Sequence, residues 1–169
     1  MRYAAVGFDL LTALLDSWSV WGSVAGDKER GMRWHAAAQS LLRGKRYRPF
    51  EDIVRDAARE IGLREDRASE LLRRWDEAAP WPDVPPVLKR LDRVSRFIVT
   101  NCSRRLARLA ASRAGRFDLV MSAEEAGAYK PDPAPYRAAL EYGIGGNGTT
   151  RTMRAFTADE AVRITKQLS

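Results

Sequence analysis

The sequence is poor in the residues that build disulfides and metal centres. Among its 169 residues it has one cysteine, Cys102, and one histidine, His35. A single cysteine excludes an intramolecular disulfide framework and a zinc site made of several cysteines. These absences predict a protein of the reducing cytoplasm.

Long apolar runs are missing as well. No stretch approaches the roughly 18 apolar residues that a membrane helix needs. The apolar stretch near the N-terminus carries Asp9 and Asp16 and has no small-residue cleavage site. We therefore interpret it as a buried strand and a turn, not as a signal peptide, and we expect no association with a membrane.

Charge of one sign is never concentrated in this chain. It has 29 basic and 22 acidic residues and a net charge of +7, but no block of five or six like charges. An excess of this size could attract nucleic acid or an anionic substrate. Many arginines stand beside acids, however, as Arg55 does beside Asp56. This pattern favours a solvated, arginine-rich surface, and we expect no nucleic-acid partner.

What the sequence does have is the composition of a folded protein with one core. Hydrophobic residues make up 45% and charged residues 30%, which is typical of a soluble globular domain. Short buried-strand patterns lie at residues 3–8, 96–100 and 117–121, with helical patterns between and after them. Strands that alternate with helices predict an α/β fold with a parallel sheet.

The segment between the first two strands is longer than a simple crossover needs. Apolar residues recur at helical spacing from about residue 14 to residue 79, and a cluster of prolines then marks a joint. We predict that residues 15–82 form an inserted, all-helical unit. Residues 1–14 and 83–169 are predicted to form the α/β core.

The pattern weakens after Gly143. A glycine-rich polar loop follows, and no fourth strong strand is visible. Thr157, with Glu160 three residues later, has the pattern of a capping box that opens a final helix. The sheet is therefore predicted to be incomplete at its C-terminal end. An open edge and exposed apolar surface would favour a homo-oligomer.

Polar residues follow the predicted strands. Asp9 follows the first strand, Thr100 and Asn101 end the second, and Lys130 lies in the loop after the third. The carboxyl ends of parallel strands share one edge of a sheet, so we expect these side chains to meet there. Asp9 could then act as a nucleophile, with Lys130 holding its charge and the hydroxyl and amide groups donating hydrogen bonds. Alternatively, Asp9 caps a turn and Lys130 is solvated.

Three segments carry a resemblance to a known family: GFDLLTALLDSW, FIVTNCS and SAEEAGAYKPDPAPY. They resemble, in order, the motifs of the haloacid dehalogenase superfamily, in its 2-haloacid dehalogenase-like branch, and the resemblance covers residues 4–142. It implies a hydrolase with a Rossmann-like parallel sheet and an inserted helical cap. Asp9 matches the family's nucleophilic aspartate, Thr100 and Asn101 match its second motif, and Lys130 matches the lysine of its third.

The residue two positions after the nucleophile separates the branches of this family. The phosphatase branch has a second aspartate there as general acid, whereas this chain has Leu11, which cannot donate a proton. The resemblance therefore implies cleavage of a carbon–halogen bond in a small, acidic 2-haloacid, with Leu11 among the substrate-binding residues and no metal or other cofactor. A small-molecule phosphatase that uses Mg²⁺ is the second enzyme hypothesis.

The sequence departs from the family pattern at three places. Dehalogenases of the family have a cap arginine after a tryptophan, but here Trp34 is preceded by Arg33 and followed by His35. We take Arg33 and His35 as candidate substrate-binding residues, although a polar helix position is the plainer interpretation of His35. Thr12 stands where the family has glycine, and Asp159 is the one stand-in for the acid that orients the hydrolytic water. A degenerate domain that binds without turnover is the non-enzymatic hypothesis.

Overall fold

The computed structural model describes residues 5–43, 46–145 and 154–155, the last pair and residues 143–145 by backbone alone. The described residues include the strands β1 Ala5–Phe8, β2 Leu15–Asp16, β3 Ala79–Pro80, β4 Ser95–Thr100, β5 Leu119–Ser122 and β6 Arg154–Ala155. The α-helices of this part of the chain are α1 Ser17–Ala25, α2 Lys28–Leu42, α3 Phe50–Glu60, α4 Glu65–Arg73, α5 Val84–Arg90, α6 Arg104–Ala114, α7 Ala123–Ala126 and α8 Ala134–Gly145. The predicted parallel α/β class is confirmed.

The central sheet has the strand order β5-β4-β1-β6, and every neighbouring pair is parallel. Its three long strands are those predicted from the sequence. Gly7 of β1 stands opposite Phe97 of β4, and a methyl group at Gly7 would lie 2.4 Å from the Phe97 ring. Glycine is therefore required for β1 to pass beside that ring.

A short strand, β6, follows in the part of the sequence where no strong fourth strand is visible. Arg154 and Ala155 pair with Val6 and Gly7, on the side of β1 opposite β4. Two residues are too few to give a periodic hydrophobic signal, because alternation needs about four residues to be recognised. The predicted capping box at residues 157–160 and the candidate Asp159 lie outside the described residues.

The sheet is covered by helices on both faces. Ile98 of β4 belongs to a large apolar cluster that includes Leu106 and Ala110 of α6. Phe97 and Val99 point to the opposite face, where they pack in a smaller cluster with Ala139 of α8. This alternation explains the continuous apolar run of β4, because a parallel strand buried on both faces needs no polar side.

Within the described residues, four helices and a short 3-10 turn, Trp75–Glu77, lie between β2 and β3. Two of the helices begin with aspartate caps. Asp16 accepts a hydrogen bond from the Ser19 amide at 3.1 Å, and Asp27 accepts one from the Arg30 amide at 2.8 Å. Such caps satisfy N–H groups that the helix itself leaves unpaired. The predicted helical insertion is thus a cap of four helices, α1 to α4.

The two ends of the cap meet in a small antiparallel ribbon. Leu15 pairs with Pro80, and Asp16 pairs with Ala79. The boundaries drawn from the sequence, at residues 14/15 and 82/83, fall beside this ribbon. The indole N–H of Trp81 donates to the carbonyl of Thr12 at 3.0 Å, which ties the exit of the cap to the turn that follows β1.

Cap and core share one apolar interior. The large cluster joins side chains of the sheet, such as Phe8, to buried side chains of the cap, among them Trp21, Trp34 and Trp75. Burial of these aromatic rings supplies much of the driving force that holds the cap on the sheet. No helix of the described part of the chain is long and apolar enough to span a membrane.

Candidate active site

Asp9 and Lys130 meet at the carboxyl edge of the sheet. Asp9 directly follows β1, and Lys130 lies in the loop between α7 and α8. The Lys130 ammonium donates to Asp9 Oδ1 at 2.5 Å and to the Val99 carbonyl at 2.7 Å. The lysine side chain is 16% exposed and the Asp9 side chain 38% exposed. The Lys130 ammonium is therefore held by two protein oxygens, whereas the Asp9 carboxylate remains partly exposed to solvent.

Asn101 holds Lys130 in place through the backbone. Its side-chain oxygen accepts from the Lys130 amide at 2.7 Å, and its side-chain nitrogen donates to the Lys130 carbonyl at 3.1 Å. The sequence suggested that Asn101 donates to a substrate. One of its two N–H groups is in fact used inside the protein, and one is left for a ligand.

Thr100 and Cys102 lie beneath this edge. Both are buried, and Thr100 Oγ1 is 3.7 Å from Cys102 Sγ. Burial raises the pKa of the Cys102 thiol to about 12. Because the thiolate is the nucleophilic form, this thiol is inert at neutral pH. Cys102 is thus a small, buried core residue.

A cleft of about 290 Å³ opens between this edge and the cap. The core contributes Asp9, Leu11, Thr12, Thr100, Asn101 and Lys130, and the cap contributes Trp21, His35, Ala38, Gln39, Phe50 and Trp75. One wall is therefore polar and carries the ion pair, whereas the other is mainly aromatic. Such a cleft suits a small molecule with one polar end and one apolar end.

His35 reaches the cleft from α2. Its ring makes edge contacts with the rings of Trp18 and Trp21, at centroid distances of 4.5 and 5.3 Å. Its Nε2 lies 3.5 Å from Gln39 Nε2. Burial lowers the pKa of His35, and the negative charge of Asp9 opposes part of that shift. The imidazole is consequently neutral at pH 7.

The structure brings together most of the residues singled out from the sequence. Asp9, Thr100, Asn101 and Lys130 line one cleft with Leu11 and His35. Arg33 is exposed on α2 and does not line the cleft. His35, two positions further along α2, lines the cleft instead, because two helical steps turn a side chain by roughly 200°. Asp159 lies beyond the described residues.

The sequence leaves open which cap aromatics face the cleft, and it marks Thr12 without showing the backbone conformation of the turn. The cap aromatics that line the cleft are Trp21, Phe50 and Trp75. Their spacing in the sequence indicates burial, but no local sequence signal shows that they line the same cleft as Asp9. Thr12 adopts a left-handed conformation with φ of 67°. That signal was present in the sequence, because Thr12 stands at a position where the resembling family has glycine.

Two sets of contacts also join the cap to the core beside the site. The Tyr129 hydroxyl donates to the Arg48 carbonyl at 2.7 Å, and the Tyr129 ring stacks on Tyr47 at 5.3 Å. The Ser103 hydroxyl donates to Glu51 at 2.7 Å. Because Tyr129 immediately precedes Lys130, its contacts link the segment just before α3 to the loop that carries the ammonium.

Within residues 5–43 and 46–145, no group of three or more His, Cys, Asp or Glu side chains is arranged to hold a metal ion. The charged groups that line the cleft are Asp9 and Lys130, which pair with each other. The chemistry available from these residues is that of a carboxylate beside an ammonium, in a cleft with one polar and one mainly aromatic wall.

Solved structures of other proteins resemble this fold. The L-2-haloacid dehalogenase RSc1362 is 26% identical, with a TM-score of 0.73 over 84% of this chain and 73% of that protein. The L-2-haloacid dehalogenase from Xanthobacter autotrophicus is 22% identical, with a TM-score of 0.74 over 92% of this chain and 69% of that protein. The same values hold for that enzyme with chloropropionic acid covalently bound.

Sequence comparisons agree at the level of the family. Curated protein sequences include no significant match. A family model described as haloacid dehalogenase-like hydrolase matches residues 9–142, which is most of the chain. That range begins at Asp9 and contains the cap, Thr100, Asn101 and Lys130. The chain belongs to the haloacid dehalogenase-like hydrolases.

Proposed function

We propose that this hydrolase cleaves the carbon–halogen bond of a small 2-haloacid, with Asp9 as nucleophile. The observation that carries the proposal is the Asp9 carboxylate itself. It is partly exposed at a strand end, is held by Lys130 Nζ at 2.5 Å and faces an aromatic cap wall. Structural relatives described as L-2-haloacid dehalogenases support the same chemistry.

In the first step, an oxygen of Asp9 attacks the carbon that bears the halogen. A carbon–oxygen bond forms, the carbon–halogen bond breaks, and halide leaves with the bonding electron pair. Halide needs no proton to leave, so Leu11 at the position of a general acid is no obstacle. Lys130 orients Asp9 for the attack, because its ammonium is also anchored on the Val99 carbonyl.

In the second step, water attacks the carbonyl carbon of the Asp9 ester. The ester bond breaks, the 2-hydroxyacid departs, a proton goes to solvent, and the Asp9 carboxylate is restored. The ammonium of Lys130 stabilises the negative charge that develops on the attacked group. No metal or other cofactor enters either step.

The acidic end of the substrate has donors on the core side of the cleft. Thr100 offers its hydroxyl, and Asn101 offers the N–H that Lys130 does not use. The apolar substituent then lies toward Leu11 and the cap aromatics. The neutral His35 stands opposite Asp9 in the same cleft, within reach of a bound small molecule.

The first experiment measures halide release from racemic 2-chloropropionate by the full chain and by Asp9→Asn. The amide is nearly isosteric with the carboxylate but is a far weaker nucleophile, so we expect release to fall by several orders of magnitude. Circular dichroism of both proteins serves as the folding control. Halide release by a folded Asp9→Asn protein at the wild-type rate would remove Asp9 from its role.

Turnover in ¹⁸O-labelled water tests the ester directly. If water attacks the Asp9 carbonyl, the label enters the Asp9 carboxylate and reaches the product one turnover later. Mass spectrometry of the peptide that contains Asp9 then detects heavy oxygen. Label that enters the product directly, with none in the protein, would contradict an ester on Asp9.

The two rival functions predict different results in the same assays. A phosphatase would release phosphate from p-nitrophenyl phosphate in a Mg²⁺-dependent manner, and that release would be lost in Asp9→Asn. A degenerate domain would be folded by circular dichroism but would form no ester in a single turnover. Either result, without halide release, would replace the dehalogenase proposal.

A further inference from the structure

The turn between β1 and the cap holds a threonine in a conformation that favours glycine. Thr12 has a φ of 67° and is the one non-glycine residue with a positive φ in the described part of the chain. A branched side chain is strained there, and residues of this kind cluster at functional sites. The turn is closed by hydrogen bonds from the Leu14 and Leu15 amides to the Leu10 carbonyl, at 3.0 and 3.2 Å. The Trp81 indole holds the Thr12 carbonyl at 3.0 Å as well, so the backbone of Thr12 is fixed.

The side chain of Thr12 is free to contact a ligand. Thr12 is partly exposed and lines the same cleft as Asp9. Its hydroxyl makes no hydrogen bond to any of the described residues. Within those residues, the buried side-chain polar atoms that lack a partner belong to Ser17, Trp75 and Arg96. The Thr12 hydroxyl is not among these buried atoms, so it is both unpaired and accessible, with one donor and two lone pairs to offer.

An acid in this cleft must be bound by neutral donors. Among the described lining residues, Lys130 is the one lysine or arginine, and its ammonium is already bonded to Asp9. Burial lowers the pKa of His35, so its imidazole carries no charge at neutral pH. Thr100 offers one hydroxyl, and Asn101 offers the one N–H that Lys130 does not use. A carboxylate has two oxygens with about four lone-pair positions, so these two donors leave it only half satisfied.

We propose that the Thr12 hydroxyl donates a hydrogen bond to the carboxylate of the substrate, beside the donors of Thr100 and Asn101. The site takes a small monocarboxylate whose second carbon faces Asp9. A glycine at position 12 would relieve the backbone strain but would supply no donor. This assignment rests on the proposed dehalogenase function for the identity of the acid, but binding of a carboxylate itself needs no turnover.

Two variants separate the hydroxyl from the rest of the side chain. Thr12→Val keeps the shape, the branching and the strain but loses the hydroxyl, whereas Thr12→Ser keeps the hydroxyl and loses only the methyl group. Isothermal titration calorimetry with propionate, which has no halogen and is not turned over, measures binding of the carboxylate. We expect the dissociation constant to rise about tenfold in Thr12→Val, as for loss of a hydrogen bond to a charged group, and to stay within about threefold of wild type in Thr12→Ser.

Propionate binding by Thr12→Val as tight as by wild type would overturn the proposal, and so would a wild-type protein that does not bind propionate. Equal weakening in both variants would mean that the side chain acts by filling space, which also overturns it. Urea unfolding shows whether each variant is folded. If Thr12→Val does not fold, Thr12→Gly takes its place, because glycine removes the hydroxyl and relieves the strain together. Propionate binding by Thr12→Gly at the wild-type affinity would then contradict the proposal.

Turnover separates this inference from the proposed function. A donor that holds the carboxylate equally before and during the reaction lowers KM and leaves kcat alone. We therefore expect KM for 2-chloropropionate to rise in Thr12→Val by the same factor as the propionate dissociation constant, with kcat little changed. A fall in kcat alone would mean a disturbed turn and would count against the assignment. Halide release with unchanged propionate binding in Thr12→Val overturns only the inference, whereas propionate binding that depends on the Thr12 hydroxyl, without halide release by wild type, overturns only the proposed function.

Discussion

Thr12 carries a conformational cost at the scale of a single residue. Its φ of 67° lies in the left-handed region, which costs an L-residue roughly 1–2 kcal/mol and suits β-branched side chains least. Glycine avoids this cost but loses about 0.5–1 kcal/mol of entropy on folding. We predict that Thr12→Gly raises the free energy of unfolding by about 1 kcal/mol in urea denaturation.

Thr12→Ala is the control for this prediction. Alanine keeps a Cβ atom and so keeps most of the strain, and its stability should stay closer to that of wild type. A glycine variant less stable than wild type would mean that the threonine side chain contributes contacts that outweigh its backbone strain.

His35 makes stability depend on pH in a definite direction. Burial lowers its pKa in the folded protein, so the unfolded chain binds the proton more tightly. Its contribution to stability is complete above the unfolded pKa of about 6.5 and is lost as pH falls from there through the folded pKa. We predict that wild type loses more stability between pH 7.5 and 5.5 than His35→Gln does, as measured by urea unfolding.

This comparison isolates His35 because it is the one histidine of the chain. Carboxylates that titrate at lower pH contribute to both proteins and cancel in the difference. Parallel pH profiles for the two proteins would mean that the folded imidazole accepts its proton as readily as the unfolded one.

Single residues also mark how far the sequence predicts the site. Asp9, Thr100, Asn101 and Lys130 were predicted because each follows a recognisable strand or matches a motif, and parallel strands bring their ends together. The position of Trp75 in the cleft was not predicted, because it depends on how the cap packs on the sheet. A helical repeat tells which face of a helix is buried but not what lies opposite it.

At the scale of elements, α1 and α2 pack through a pair of glycines. A methyl group on Gly31 would lie 2.5 Å from the Gly22 nitrogen. The backbones of the two helices are therefore in direct contact at this point. Gly→Ala inside an exposed helix would normally stabilise it, by up to about 1 kcal/mol. Here we predict the opposite sign, a loss of about 1–3 kcal/mol for Gly31→Ala, because the helices must separate.

Thermal or urea unfolding of Gly31→Ala measures this loss. The cleft offers a second readout, since α2 also carries His35 and a shift of the helix would move its ring. Equal or greater stability in Gly31→Ala would show that the helix pair can open without cost.

Elements differ in how readily a sequence reveals them. The strand β4 was predicted with nearly correct bounds, because a long apolar run is a local signal. The helix α6 begins after Ser103, whose side chain accepts a hydrogen bond from the Leu106 amide, and such a cap is also a local signal. The helix α8 begins at Ala134, two residues after Asp132, which accepts a hydrogen bond from the Ala134 amide. The two-residue strands β2 and β3 have no recognisable sequence pattern, because their pairing depends on contact between residues far apart in sequence.

At the scale of the whole molecule, cap and core share one apolar cluster, so we predict a single cooperative unfolding transition. Four of the five tryptophans lie between residues 18 and 75, and their fluorescence reports on the cap. Far-ultraviolet circular dichroism reports on both parts. The two curves should coincide in urea. A fluorescence transition that precedes the loss of dichroism would mean that the cap unfolds separately from the sheet.

The ribbon of β2 and β3 has a consequence beyond stability. The chain leaves the sheet and returns to it at neighbouring points. The cap is therefore an insertion whose two ends are held together by the β2–β3 ribbon. The length and shape of the cap can change without altering the distance between its two ends. Paired ends of this kind allow one cap to be exchanged for another. A different cap can therefore place new cleft walls opposite an unchanged Asp9, and selection or design can vary the cap alone.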